Sequence, residues 1–423
     1  MNAESPLAAR LRAARASLPR LVTLDAAQRD ALVRAMAQSL REGADSILDA
    51  NAADLAAGRE AGLSDALLDR LRLDRLRLES LAEALEQIAA LPDPLADSDA
   101  LQTRPNGLRL RRKPAPLGVI AMVYEARPNV TAEAAALCLK AGNACVLRGG
   151  KEARRTNLAL GERLRACLAG LGLPSEALLL LDDPDRSQLA ELLGHDELVD
   201  VIVPRGGEAL IRHVVAHSRI PVIRHYKGVC HLYVDRDAEL DIAQAILIDA
   251  KTSRPGVCNA LECLLVHRDH VESWLPRAAA ALAARGVELR GDETALRHVP
   301  AMQPASADDW GREFLAPVLA VRVVDDLDAA LDHIRRYGSR HTEAIVSRDA
   351  GACRRFVAEA DASAVAVNAS TRFNDGGELG LGAELGISTS KLHVYGPMGL
   401  EALTTRKWVI EGSGQVRHPD LLD

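Results

Sequence analysis

The chain has 423 residues, enough for two or three domains and a sizeable core. Its hydrophobic share of 48% and charged share of 26% are those of a globular protein. A formal net charge of -7 and an aromatic share of 3% argue against a basic, stacking surface for nucleic acid or anionic membrane.

No apolar run approaches the ~20 residues of a membrane span, and MNAESPLAARLRAAR carries no apolar signal core. The 7 cysteines, at 138, 145, 167, 230, 258, 263 and 353, are odd in number and form no C-x-x-C. That argues against a disulfide framework or a structural metal, and free thiols fit a reducing cytoplasm.

Residues 1 to about 95 are expected to be helical. Leu32, Val33, Met36 and Leu40 form an apolar stripe at helical spacing, and Ser64 is placed to cap a later helix. At 101–115 the character changes. Asn106-Gly107 predicts a two-residue hairpin turn. The basic run Arg109 to Lys113 then alternates with leucines, as a phosphate patch or as an edge strand protected by charge.

From 117 onward short apolar strands alternate with amphipathic helices, which predicts parallel sheets covered on both faces. Strands are expected at 117–124, 144–147, 177–181, 199–203 and 221–223, then at 261–267, 319–324, 343–347 and 363–368. Ligands of such sheets bind at the carboxyl ends of the strands. Two of those ends carry glycine pairs, Arg148-Gly149-Gly150-Lys151 and Arg205-Gly206-Gly207. Each is either a simple turn or a place where backbone amides approach a phosphate. The segment 369–399 is glycine-rich and predicts a loop system at the active site, with Trp408 to His418 as a last strand or arm.

The best nucleophile candidate is Cys258. It follows Lys251-Thr252-Ser253-Arg254-Pro255-Gly256-Val257, between a predicted helix at 240–250 and the strand at 261–267. Lys251 and Arg254 are expected to favour its thiolate, and Asn259 offers a hydrogen-bonding side chain.

Longer motifs carry a resemblance. Leu117 to Ile120 and Tyr124-Glu125-Ala126-Arg127-Pro128-Asn129-Val130-Thr131 open it, followed by Ile202 to Glu208. Arg254 to Glu262, Val367 to Phe373, Asp375 to Glu378 and Gly386 to Thr389 complete it in order. The chain from about 100 to 415 resembles the glutamate-5-semialdehyde dehydrogenase (γ-glutamyl phosphate reductase) family of the aldehyde dehydrogenase superfamily.

The resemblance implies an aldehyde dehydrogenase-like α/β fold with a Rossmann-type cofactor domain, a second α/β catalytic domain and a small β oligomerisation arm. The expected division is 1–100 and 116–252 for helices and cofactor, 253–400 for catalysis, and 101–115 with 401–423 for the arm. It also implies NADPH-dependent reduction of L-glutamyl 5-phosphate to glutamate 5-semialdehyde in proline biosynthesis, through a thioester on Cys258. The Cys258 amide and Asn129 are candidates to stabilise the oxyanion, although Asn129 could equally cap the helix that follows it.

By the same resemblance, Arg148, Gly149, Gly150 and Lys151, with Arg205, Gly206 and Gly207, are expected at NADP(H). Ser370, Thr371 and Arg372 are expected at the substrate, Arg372 on its α-carboxylate or simply at the surface. A homodimer or dimer of dimers is implied, with the acyl phosphate supplied by a partner, glutamate 5-kinase.

One departure matters. Hydrolytic relatives carry a water-activating Glu about thirty residues before the cysteine, where this chain reads His225-Tyr226-Lys227-Gly228-Val229. His225 is then an acid, a base or a structural residue. The competing readings are another acylating or oxidising aldehyde dehydrogenase, and a non-catalytic protein of the same fold.

Overall fold

The structure, a computed structural model, describes residues 5–97, 99–182 and 186–418. They form two compact units, one of 1–223, 381–385 and 398–423, the other of 224–380 and 386–397.

The first unit begins with six α-helices, Pro6–Ala16, Leu18–Thr23, Ala26–Glu42, Ala44–Glu60, Asp65–Leu71 and Arg75–Ala90. Their starts are set by side chains. Ser5, Asp25, Ser64 and Asp74 each accept a hydrogen bond from a backbone amide of the first turn. The expected stripe Leu32, Val33, Met36 and Leu40 is buried.

A four-stranded parallel sheet follows, in the order Leu178–Leu180, Ala144–Arg148, Val119–Tyr124, Val201–Arg205. The chain steps outward from Val119–Tyr124 and then returns to its other side. Val119–Tyr124 and Val201–Arg205 therefore flank the point of reversal, where a crevice opens at the carboxyl ends. The strand expected at 221–223 is reduced to one bridge, Ile202 to Val222.

The same unit holds a three-stranded antiparallel sheet, Gln102–Thr103, Arg109–Pro116 and Thr404–Glu411. Its hairpin is not the expected two-residue turn. Arg104 N–H bonds to Leu108 O and Gly107 N–H to Arg104 O, so Pro105, Asn106 and Gly107 form a three-residue loop. Gly107 closes it with φ 84°, the left-handed residue such a loop requires.

The second unit is built on seven parallel strands in the order Gln303–Pro304, Glu288–Gly291, Val318–Val324, Leu261–His267, Cys230–Val234, Thr342–Val346, Ala364–Val367. Cys230–Val234 lies between two central strands, and helix Leu240–Thr252 buries Ala243, Ile246, Leu247 and Ala250 in this unit's core. That corrects the expected boundary. The division falls after Ile223 rather than after Thr252, and 381–385 and 398–400 belong to the first unit.

No helix among the described residues is long and apolar enough to cross a membrane.

Candidate active site

Helix Leu240–Thr252 ends at Ser253, and Pro255 and Gly256 turn the chain through Cys258 into strand Leu261–His267. The turn is fixed at both ends. Lys251 Nζ lies 2.6 Å from Glu262 Oε2 and 2.7 Å from Leu261 O, with both side chains fully buried. Glu262 Oε1 also accepts from Leu315 N–H at 3.1 Å. Burial pushes the Glu262 carboxyl up to about 7 and the Lys251 ammonium down. This overturns one expectation: Lys251 is half of a buried ion pair that braces the turn, while Arg254 remains exposed.

Asn259 carries out a second bracing. Its Nδ2 donates to Arg372 O at 3.2 Å and Asn374 O at 3.0 Å, and its carbonyl accepts from Thr371 Oγ1 at 2.7 Å. The segment Ser370-Thr371-Arg372 is thereby tied to the Cys258 turn. Ser370 and Thr371 are buried, and the Ser370 hydroxyl accepts from Arg372 N–H at 3.3 Å. Arg372 is the partly exposed member, its Nε donating to Ser253 Oγ at 3.2 Å.

The structure adds two imidazoles to the thiol. One ring nitrogen of His225, one of His341 and Cys258 Sγ all lie within 4.8 Å of one another. His225 Nδ1 bonds to Ile387 O at 2.8 Å. A carbonyl only accepts, so Nδ1 carries the proton and Nε2 of the neutral ring keeps a lone pair. His341 Nδ1 is 2.8 Å from Thr342 Oγ1, and the two rings meet edge to face at 5.6 Å. Close approach explains Gly228: a Cβ there would stand 1.8 Å from Cys258 O. Gly228 N–H donates to Glu313 Oε1 at 2.8 Å, so a carboxylate does reach this turn, but as a brace for the backbone. His341 was not singled out in the sequence, because one histidine at a strand start carries no spacing signal.

In the first unit a cleft at the carboxyl ends of the sheet is lined by Tyr124, Gly149, Gly150, Lys151, Arg154 and Asp182, among others. Gly149 leaves room for Asn157, whose Nδ2 would be 2.1 Å from a Cβ. The Gly-Gly turn and two cations fit the phosphate-bearing adenosine of a nicotinamide cofactor. Arg154 was not anticipated; its Nε donates to Asp182 O at 2.7 Å. Arg148 is half-buried at the end of its strand and does not line the cleft.

The second glycine turn holds an anion of its own. Glu125 Oε2 accepts from Gly207 N–H at 2.8 Å, and a Cβ on Gly206 would lie 2.6 Å from the same oxygen. Arg205 pairs with Glu384 at 3.8 Å. Asn129 lies in the first turn of helix Pro128–Lys140, whose N-cap is Arg127, so it is not the cap. Its Nδ2 donates to Glu133 Oε2 at 3.0 Å. Burial pushes the Glu133 carboxyl up to about 7 against the pull of Asn129 and Arg205. Asn129 and the two glycine turns belong to the first unit; Cys258, the histidines and Ser370 to Arg372 belong to the second.

The aldehyde dehydrogenase family pattern matches residues 3–309. A γ-glutamyl phosphate reductase from Geotalea daltonii is 53% identical over 404 residues, 96% of this chain and 97% of that one. Another from Sorangium cellulosum is 53% identical over 422 residues, 99% of each. The crystal structure of the γ-glutamyl phosphate reductase from Thermotoga maritima superposes with a TM-score of 0.95 at 39% identity, covering 98% of this chain and 100% of that one. With the fold, the site and these relatives in agreement, the chain belongs to the γ-glutamyl phosphate reductases of the aldehyde dehydrogenase family.

Proposed function

We propose that this protein reduces L-glutamyl 5-phosphate to glutamate 5-semialdehyde with NADPH, releasing phosphate, in proline biosynthesis. The observation that carries the reading is a half-buried thiol on a braced turn with two imidazoles within 4.8 Å. His225 Nε2 takes the Cys258 proton. The thiolate attacks the acyl carbon, the bond to the phosphate oxygen breaks, and a thioester remains on Cys258. The Cys258 amide and Asn129 are the proposed donors to the developing oxyanion. Arg372 is the proposed partner of the α-carboxylate, with Ser370 and Thr371 shaping the turn that presents it.

NADPH, when bound, supplies the hydride that reduces the thioester carbonyl. The carbon–sulfur bond then breaks, leaving aldehyde and a regenerated thiolate. Gly149, Gly150 and Lys151 are proposed to hold the adenosine end, with Arg148 behind them. Arg205, Gly206 and Gly207 are proposed at the pyrophosphate. No carboxylate stands in the 225–229 segment itself, which supports phosphate rather than water as the acyl partner.

The acyl phosphate is proposed to come from a separate glutamate 5-kinase. The test is the reverse reaction. Glutamate 5-semialdehyde should reduce NADP+ only when phosphate is present; reduction with water or coenzyme A alone would overturn the assignment in favour of an oxidising or acylating enzyme.

A further inference from the structure

A cysteine and two histidines around one point make a donor set as well as a catalytic one. Open zinc sites use three protein ligands of these types and leave a fourth position for solvent. We propose that Cys258, His225 and His341 form a zinc-binding site, and that a zinc ion held there reversibly blocks acylation of the cysteine. The blocking half rests on Cys258 being the nucleophile; the binding half does not.

Geometry and chemistry converge on this site. The three donors lie within 4.8 Å of one another. Zinc bonds of about 2.0–2.3 Å bring two donors on one ion to roughly 3.3–3.7 Å, so closure of about 1 Å by side-chain torsions completes the site. His225 already has the outer contact that metal-bound imidazoles use: Nδ1–H on the Ile387 carbonyl at 2.8 Å, which fixes the ring and reserves Nε2. Thr342 Oγ1, 2.8 Å from His341 Nδ1, is itself held by Asn374 Nδ2 at 2.8 Å. Cys258 and His225 are half-buried, so an ion has a way in. One thiolate and two imidazoles, with no carboxylate, favour zinc over magnesium, calcium or manganese. On binding, the Cys258 thiol releases its proton to solvent and the sulfur–zinc bond forms; no electrons change hands.

A second set, His231, Cys263 and His333, differs in how its rings are engaged. All three side chains are buried. Arg322 Nη1 donates to His333 Nδ1 at 2.9 Å, which puts the proton of the neutral ring on Nε2, 3.5 Å from Cys263 Sγ. His333 therefore offers no ring lone pair to a metal, and a guanidinium stands beside it. Among the described residues no guanidinium is bonded to a ring nitrogen of His225.

Cobalt(II) serves as the probe because a thiolate ligand gives it a near-ultraviolet charge-transfer band. The full-length protein, treated with EDTA and desalted, is titrated with cobalt without substrate. The band should appear, together with visible bands of a four-coordinate ion, and zinc should remove both at one equivalent. Cys258→Ser should abolish the charge-transfer band, Cys353→Ser should leave it, and His225→Ala or His341→Ala should weaken binding by more than about tenfold. A band that survives Cys258→Ser, or no band in the wild type, overturns the site. Zinc should also inhibit phosphate-dependent NADP+ reduction, with EDTA restoring it. Stoichiometric zinc binding without inhibition overturns the block. Normal metal spectra in a protein inactive on glutamate 5-semialdehyde would instead overturn the proposed reaction and leave the metal site standing.

Discussion

Cys258→Ala is expected to lower turnover by at least about 10³-fold while NADPH binding and the far-ultraviolet spectrum stay as in wild type. Activity within tenfold of wild type would remove Cys258 from the mechanism. Cys258 was legible because a turn, a proline-glycine pair and a long motif coincide on it. Its environment was not. Lys251 is near it in sequence, yet its ammonium turns to Glu262 2.6 Å away, and the histidines arrive from segments that only the fold brings close. At the proposed cofactor cleft, Lys151 and Arg154 are the cations lining the wall. NADPH should therefore be preferred over NADH in kcat/KM, and Lys151→Glu should erase or invert that preference. An unchanged ratio would place the 2′-phosphate elsewhere. Glu125 gives an expectation of the opposite sign. Its carboxylate holds the Gly207 amide at 2.8 Å, the group a pyrophosphate would use. Glu125→Gln should tighten NADPH a few-fold, read by fluorescence titration, because one anion no longer opposes another. Weaker binding in that variant would show that the carboxylate builds the turn rather than competing for it.

The strand hardest to read was Cys230–Val234, and its chemistry explains why. Its second residue is a histidine, which interrupts the apolar run that marks a buried strand, although every position in it is buried. The fold accommodates His231 by pairing it with Glu343, Nδ1 to Oε2 at 2.8 Å. Burial lowers the His231 pKa, but Glu343 and Cys263 outweigh it and hold the ring up at about 10. A nearby helix boundary has an equally local cause: helix Leu275–Ala283 begins where Pro276 can occupy its first turn. His333, on helix Leu327–Tyr337 with its ring 5.4 Å from that of His231, is expected to make stability depend on pH. Burial first, then the charges of His231 and Arg322, push its ring down to about 2. The unfolded chain takes up a proton near pH 6.5, before the folded one can. Stability from this group is thus full above about 6.5 and is lost as pH falls towards 2, by about 2 kcal/mol between pH 7 and 5. His333→Gln keeps an acceptor for Arg322 and a donor for Cys263 but does not titrate. Urea midpoints at pH 7 and 5 should separate less in the variant than in wild type. Equal separations would mean that His333 is not the titrating group.

At the scale of the molecule, the three-stranded sheet poses a question that one chain leaves open. The hairpin and the C-terminal arm were readable as strands without a place in a doubly wound sheet. Their pairing with each other was not, because the eight residue pairs from Thr404–Pro116 to Glu411–Arg109 join widely separated stretches of the sequence. Thr404–Glu411 is an edge strand of that sheet. It presents Trp408 at 61% and Ile410 at 65% exposure, two positions apart on one face, with Arg112 stacked 5.7 Å over the Trp408 ring. A long edge with apolar side chains is what soluble proteins cover, and a second copy related by a two-fold axis would cover it with the same face of itself. A homodimer or a dimer of dimers is therefore expected, with residues 101–115 and 401–423 at the contact. Light scattering at micromolar concentration should give a multiple of the 45.3 kDa chain mass. Ile410→Lys and Trp408→Glu should shift it towards one chain while leaving the fold intact. Deleting 404–423 should do the same, but it also strips Arg109–Pro116 of its partner strand, so the point variants carry the decision. A monomeric wild type, or undiminished association in both point variants, would move the interface off this sheet.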